Sequence, residues 1–425
     1  MLNIKFIKEN QKLVKENIKK KNQIEKLPLV EQVIKQYEDS LRLKHEVEKL
    51  RHHRNELSEK INELVKQKKD PAILIKELKN LPDEIKKLEE KKSALENSIR
   101  ESLLKIPNIM HPSVPLGKDA SENKTLKKIG NPKKFDFPIK THVELGESLG
   151  LFDFDSSSRT SGNGFYYLQG DLALLNQALI QFGIETMIKK GFLYVETPLM
   201  LRGKIIKSVT DLHDQKNQIY KVDDEDLYLI GTSEHSLIGR YVDSLIPENK
   251  LPIKQTSYSM CFRKEIGSHG IDEKGVFRTH QFNKIEMIVI CHPKDSMKFF
   301  QEMQDISIEI FTALGIPIRV LGICSGDLGD LKHIQVDIEA WSPRKNEYFE
   351  VGSCSNLTES QARKLKIRVE GKDARYTPHT LNNTAIATSR ALVAIMENFQ
   401  QKSGEIKIPE VLQKYMGGKE IIKKL

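Results

Sequence analysis

Two stretches early in the chain repeat apolar side chains at alternating intervals of four and three. Leu43, Val47, Leu50, Leu57, Ile61 and Leu64 form the first series, with Arg54 in register. Leu74, Leu78, Leu81, Ile85, Leu88, Leu95 and Ile99 form the second, with Lys92 in register. This is the seam of a coiled coil. Only QKKDPA, around Asp70 and Pro71, lies between the two. It is too short for anything but a reversal, so the pattern predicts an antiparallel helical hairpin, an arm over about residues 31–105. Arg54 and Lys92 fix register or lay their stems along the seam. Pro82 interrupts the second series, because an interior proline removes a helix hydrogen bond and meets the preceding turn. A kink there, or a helix start at Pro82-Asp83-Glu84, is expected. IPNIMHPSVPLGKD, residues 106–119, ends the arm, since its prolines and glycine do not continue a helix.

A polar stretch follows, and residues 111–135 read as a linker. From 136 to the end the period switches repeatedly between two and 3.6, without the regular alternation of a doubly wound fold. Strands are expected at Leu227–Gly231, Ser257–Arg263, Phe282–Cys291, Ile318–Ile323, Gln335–Trp341 and Tyr348–Ser353, with another at Phe165–Leu168. Helices are expected at about 171–190, 295–314 and 384–400. The fold class is therefore α+β: an N-terminal domain, residues 1–110, that carries the helical arm, followed by a domain of antiparallel β-sheet flanked by helices.

Composition narrows the partners. The chain has 425 residues, 68 Lys and Arg against 59 Asp and Glu, and a net charge of +9. Residues 1–110 hold 26 of the basic and 19 of the acidic side chains, so +7 of the surplus sits on the arm domain. An elongated basic segment suits a polyanion such as RNA, although a solvated lysine-rich coiled coil has the same charge. No apolar run is long enough to span a membrane. MLNIKFIKENQKLVKEN has no apolar core of the secretory type. Cys261, Cys291, Cys324 and Cys354 are too widely spaced for CxxC metal binding and read as reduced thiols. A cytoplasmic protein is expected, with no membrane partner.

The candidate chemistry is densest in CFRKEIGSHGIDEKGVFRTHQFNKIEMIVIC, residues 261–291. In a strand Arg263 and Glu265 share one face, and Phe282, Lys284 and Glu286 share another. A hairpin that joins the faces sets cations, carboxylates and an aromatic ring around one pocket. Such a set suits an amino acid plus a nucleotide; a charged surface hairpin has the same spacing. In GTSEH, 231–235, Thr232 or Ser233 reads equally as a helix N-cap.

Residues 261–291 resemble motif 2 of the class II aminoacyl-tRNA synthetases, and within that class the seryl-tRNA synthetases. IKKGFLYVETPLM, with Gly191 and Pro198, resembles motif 1, which implies a homodimer. HTLNNTAIATSRALVAIMENFQ, 379–400, resembles motif 3, and its IATSRA wording leans toward archaeal members. The resemblance implies that Thr232 and Glu234, with Ser233 between them in the serine-binding loop, hold the amino group of L-serine, while Glu286 and Thr384 take its hydroxyl. Arg263 would meet the substrate carboxylate and the α-phosphate of ATP, and Arg390 the γ-phosphate; these two carry the catalysis. Lys264, Glu265, Val276, Arg278 and Phe282 would complete the ATP site, with Glu265 and Phe282 on adenine. In YFEVGSCSN, 348–356, Glu350 and Ser353 would hold Mg2+ against the phosphates, with Val351 and Gly352 beside them. The chain departs from the pattern at Gly164, where arginine is usual, at Gly352, where serine is usual, and in LKHIQVD, 331–337.

The implied reaction has two steps: serine and ATP give seryl-adenylate, and the seryl group then passes to the 3′ end of tRNA(Ser). tRNA(Sec) is a second candidate acceptor, and the arm is the expected tRNA contact. Two rivals share parts of the pattern. One is a class II relative that loads a carrier protein, which would lack the arm. The other is an inactive scaffold, which would show damage among Arg263, Glu265, Glu286, Glu350 and Arg390.

Overall fold

A computed structural model describes residues 1–210, 218–265 and 275–425. The tip expected between the strands of the 261–291 hairpin, residues 266–274, lies outside them. The chain divides into two units, Met1–Pro107 and Asn108–Leu425.

In the first unit, α1 (Leu27–Lys66) and α2 (Ala72–Lys105) form the hairpin. Every seam position named above is buried or half-buried, Arg54 and Lys92 included. Gln36 donates to Ser98 at 2.8 Å, and Arg51 and His53 pair with Glu89 and Glu77, which fixes the two helices antiparallel. Two shorter helices, Ile4–Glu9 and Gln11–Lys20, bury Ile7, Val14 and Ile18 at the base. The helix start expected at Pro82 is not found: α2 runs through it without interruption. Pro82 is exposed between buried Leu81 and Ile85. The ring points outward, and the seam on either side stays packed.

The second unit is built on one eight-stranded sheet. In chain order its strands are β1 (Lys124–Ile129), β2 (Leu193–Tyr194), β3 (Ile253–Phe262), β4 (Gln281–Cys291), β5 (Ile318–Gly322), β6 (Ile334–Ser342), β7 (Glu347–Thr358) and β8 (His379–Ala387). Their spatial order is β1-β5-β6-β7-β8-β4-β3-β2, antiparallel except for the β2–β3 pair. Helices α3 (Gly170–Lys189), α4 (Ser233–Gly239), α5 (Ser296–Ala313) and α6 (Thr388–Phe399) pack around it.

Two expectations are corrected. The supposed linker contains β1, which pairs with β5 and closes one edge of the sheet. Residues 384–387, expected to open a helix, instead finish β8, and α6 begins at Thr388. Strand β8 is central and buried on both faces, so HTLNNTAIA shows no apolar–polar alternation for a strand reading to catch. The strands expected at Leu227–Gly231 and Phe165–Leu168 form only in part, as Leu227–Leu229 and Tyr167–Leu168, in separate two-stranded ribbons with Met200–Arg202 and Phe152–Asp153.

Side-chain alternation gives the sheet its two faces. On β8, Asn383 donates to the Met303 carbonyl and the Ser307 hydroxyl of α5, while Asn382 and Thr384 face the opposite side. On β4, Ile285, Met287 and Val289 join the main core, while Lys284 and Glu286 turn away from it. One face therefore builds the core and the other builds a cavity. The four cysteines are buried and unpaired.

Candidate active site

The cavity lies on the polar face of β4, β6, β7 and β8 and has a volume of about 440 Å³. A smaller lobe adjoins it, sharing Arg263, Glu265, Arg278, Lys284, Glu350, Thr384 and Arg390 as walls and adding Phe277, Phe282, Val351 and Gly352. Of the residues expected at the site, Thr232, Glu234, Glu286 and Ser353 line the larger lobe. Three do not reach either lobe. Ser233 is fully buried and donates to the Ser257 carbonyl. The Lys264 ammonium stands 5.8 Å from the Tyr220 ring centroid. Val276 sits in the main core, and its backbone N–H donates to His142 Nε2 at 3.3 Å.

At one end two carboxylates meet. Glu234 opens α4, capped by Thr232, whose hydroxyl accepts the Glu234 N–H at 3.3 Å. The cap reading of GTSEH therefore holds for Thr232, and Thr232 and Glu234 also line the cavity, while Ser233 does not. Gln361 and Asn382 donate to Glu234 Oε1 at 2.6 and 2.8 Å. Burial, and then the nearby charge of Glu286, push the Glu234 carboxyl up to about 7. Glu286 is 1 % exposed and pairs with Lys284. His235 behind them is driven down to about 3 by burial and by Arg263 and Lys284, and is a neutral ring.

The other end is cationic. Arg263 is fixed from several sides: Nε donates to the Gly231 carbonyl at 3.2 Å, and the guanidinium lies 5.2 Å from the Phe282 ring centroid. His280 contributes through the backbone, its carbonyl accepting the Arg263 N–H and its Nδ1 lying 3.0 Å from the Arg263 carbonyl. Glu265 has φ +48, a left-handed conformation uncommon outside glycine, and it pairs with Arg278 at 3.2 Å. Arg390, at the start of α6, pairs with Glu350 at 3.1 Å and lies 5.3 Å from the Phe277 centroid. Burial alone would raise Glu350, but the charge and hydrogen bond of Arg390 outweigh it and hold the carboxyl low. Asp337, opposite Ser353 in the β6–β7 register, is pushed up by burial and by the Glu350 charge.

A divalent cation suits this corner. Glu350, Ser353, Gln335 and Asp337 offer only hard oxygen donors among their acceptors. Gln335 donates to Asp337 at 2.7 Å and to Ser353 at 2.9 Å, orienting both. Such a set fits Mg2+ better than a thiolate- or imidazole-seeking metal.

Several site residues escaped the sequence reading. Lys284 shared its strand face with Glu286, but no role followed from that. Gln361, Asn382 and His280 act through other side chains, and no local motif marks them. The departures have structural partners. A Cβ on Gly164 would stand 2.6 Å from the His280 ring, so glycine there leaves room for the histidine that braces Arg263. A Cβ on Gly352 would stand 3.3 Å from the Thr384 carbonyl oxygen, so glycine lets β7 run close to Thr384. In LKHIQVD, Leu331, Lys332 and Gln335 line the cavity.

Comparison with known proteins agrees along the whole length. Residues 1–110 match the seryl-tRNA synthetase N-terminal domain, and residues 220–399 match the tRNA synthetase class II core domain (G, H, P, S and T). The serine–tRNA ligase of Methanospirillum hungatei is 44 % identical over 425 residues, covering 99 % of this chain and 100 % of the relative. That of Pyrococcus horikoshii is 40 % identical, covering 99 % and 98 %. The crystal structure of seryl-tRNA synthetase from Pyrococcus horikoshii complexed with ATP superposes with a TM-score of 0.93 at 38 % identity, covering all of both chains. The cytoplasmic serine–tRNA ligase from Naegleria fowleri in complex with AMP gives 0.88 at 33 %, covering 100 % and 99 %. Alike over its full length, the chain belongs to the seryl-tRNA synthetases, the class II serine–tRNA ligases.

Proposed function

We propose that the cavity activates L-serine with ATP and that the residues divide the work by position. The observation that carries this is the polarity of the cavity, with Glu234 and Glu286 at one end, Arg278 and Arg390 with their partners Glu265 and Glu350 at the other, and Arg263 between. Glu234 takes the ammonium of serine, and Glu286 with Thr384 takes its hydroxyl. Arg263 stands between the ends, where the serine carboxylate and the α-phosphate meet. Charge builds on the phosphorus oxygens as the carboxylate attacks, so a guanidinium already fixed in place favours the transition state over the ground state. No side chain is needed as a general base, because a carboxylate is already a nucleophile, and orientation supplies much of the rate.

Phe282 offers its face to adenine, with Glu265 at the ring edge. Arg278 and Arg390 bind the outer phosphates. Their pairing with Glu265 and Glu350 keeps each guanidinium aimed into the cavity. Glu350 and Ser353 would hold Mg2+, with Asp337 and Gln335 bracing Ser353; when bound, the cation neutralises phosphate charge. The arm binds tRNA(Ser) through its basic surface, and Leu193 and Met200, 60 and 47 % exposed near the first motif, support pairing of two copies there.

Serine-dependent exchange of pyrophosphate into ATP, followed by charging of purified tRNA(Ser), tests the reading. Both activities are expected. Exchange without charging would favour a carrier-loading enzyme, and neither would favour a scaffold.

A further inference from the structure

Lys284 lines both lobes, yet none of the expected roles uses it. Its side chain is 10 % exposed and its ammonium pairs with Glu286 Oε2. The same ammonium donates to Thr232 Oγ1 at 3.3 Å, and Thr232 donates its single hydroxyl proton to the same Glu286 Oε2 at 3.2 Å. With the Glu234 N–H as a further donor to it, the Thr232 hydroxyl is saturated: one proton given, two accepted. It has nothing left for a substrate amine. Every side-chain hydrogen bond and ion pair to the Glu286 carboxylate found among the described residues therefore falls on Oε2, and Oε1 takes none.

We propose that Lys284, acting with Thr232, is a specificity-determining positioning residue that clamps one oxygen of Glu286 and presents the other to the cavity as an acceptor in a single orientation. The proposal rests on the serine reading of this end of the site. A buried carboxylate needs a counter-charge, and Lys284 provides it from within the cavity wall. An ionised carboxylate is acceptor-only, so its open oxygen rewards a hydroxyl donor and leaves alanine with an unpaired polar group opposite its methyl. A lysine serving stability alone would not need to share Oε2 with the threonine that caps α4.

The test is a double-mutant cycle in pyrophosphate exchange with serine and with alanine, using Lys284→Met, Glu286→Gln and the pair. Lys284→Met should lower the serine-over-alanine ratio of kcat/KM by roughly 10²-fold, mainly through KM for serine, with KM for ATP nearly unchanged. Glu286→Gln should do the same, and the double variant should be no worse than Glu286→Gln alone. If Lys284→Met does not fold, the neutral double variant still decides the matter by comparison with Glu286→Gln: equal kinetics support the clamp. Losses that multiply in the double variant, or a matching rise in KM for ATP, would mean that Lys284 touches substrate independently, and the proposal falls. So does a Lys284→Met enzyme that keeps its serine preference while Glu286→Gln loses it. If Glu286→Gln itself keeps the preference, the serine reading of this pocket falls first and the clamp with it.

Discussion

At the scale of the residue, the site is a set of charges whose orientations are settled before substrate arrives. Arg263 is the clearest case, braced by the Gly231 carbonyl, the Phe282 face and the backbone of His280. A donor so fixed costs no reorganisation at the moment of reaction. Arg263→Ala should lower pyrophosphate exchange by about 10²–10³-fold while leaving the circular dichroism spectrum unchanged; exchange near the wild-type rate would take Arg263 out of the reaction. Arg263→Lys should rescue little, since an ammonium neither stacks on Phe282 nor forks. Glu234 supplies a pH signature. Its carboxyl is held at about 7, first by burial and then by Glu286. Only the ionised form attracts an ammonium, so kcat/KM for serine should climb about tenfold per pH unit below 7 and level off above it. Glu234→Gln should be slower and flat over the same range. A wild-type profile with no inflection near neutrality would contradict the assignment.

At the scale of the element, two cases show packing overriding local preference. Pro82 lies inside α2, where it removes a backbone donor, yet the helix continues because Leu81 and Ile85 stay buried in the seam. Exposed proline in a helix interior is unfavourable by up to about 3 kcal/mol relative to alanine, partly offset by the stiffer unfolded chain. Pro82→Ala should therefore stabilise the first unit by about 1–2 kcal/mol, read from the denaturant midpoint of its helical signal. An unchanged or lower midpoint would mean that the proline serves the shape of the arm. Strand β8 is the second case. Its Asn382, Asn383 and Thr384 look like a turn or a helix start in isolation. In the sheet the first and third face the cavity and the second is tied to α5.

At the scale of the molecule, two units divide the labour: 1–107 carries most of the positive surplus, and 108–425 carries the whole cavity. Replacing residues 43–95 by a short glycine–serine linker should leave serine-dependent exchange within about threefold while lowering tRNA charging by tenfold or more. The wild-type affinity for tRNA should fall steeply with salt through counterion release, and the shortened chain should show a shallower slope. Equal loss of both activities would mean that the arm supports the catalytic unit.

The amino-acid sequence by itself determined the hairpin, because a seam of four-and-three spacing is a local property that each helix carries wherever it packs. It also determined which strands hold Phe282, Glu286 and Glu350, since period two and the motif order are written along the chain, whereas Arg263, expected to end a strand, lies just past β3. Tertiary structure alone decided the rest. That β1 is a sheet edge and not a linker depends on β5, nearly two hundred residues away. That Ser233 and Val276 turn from the cavity depends on which side of α4 and of the core they meet. His280, Gln361 and Asn382 acquire roles only by contact with residues distant in sequence, and Lys284 acquires its role by meeting Thr232 as well as its strand neighbour Glu286. Such side chains orient the binding groups through burial and hydrogen bonds, and those are fixed only once the sheet has closed around them.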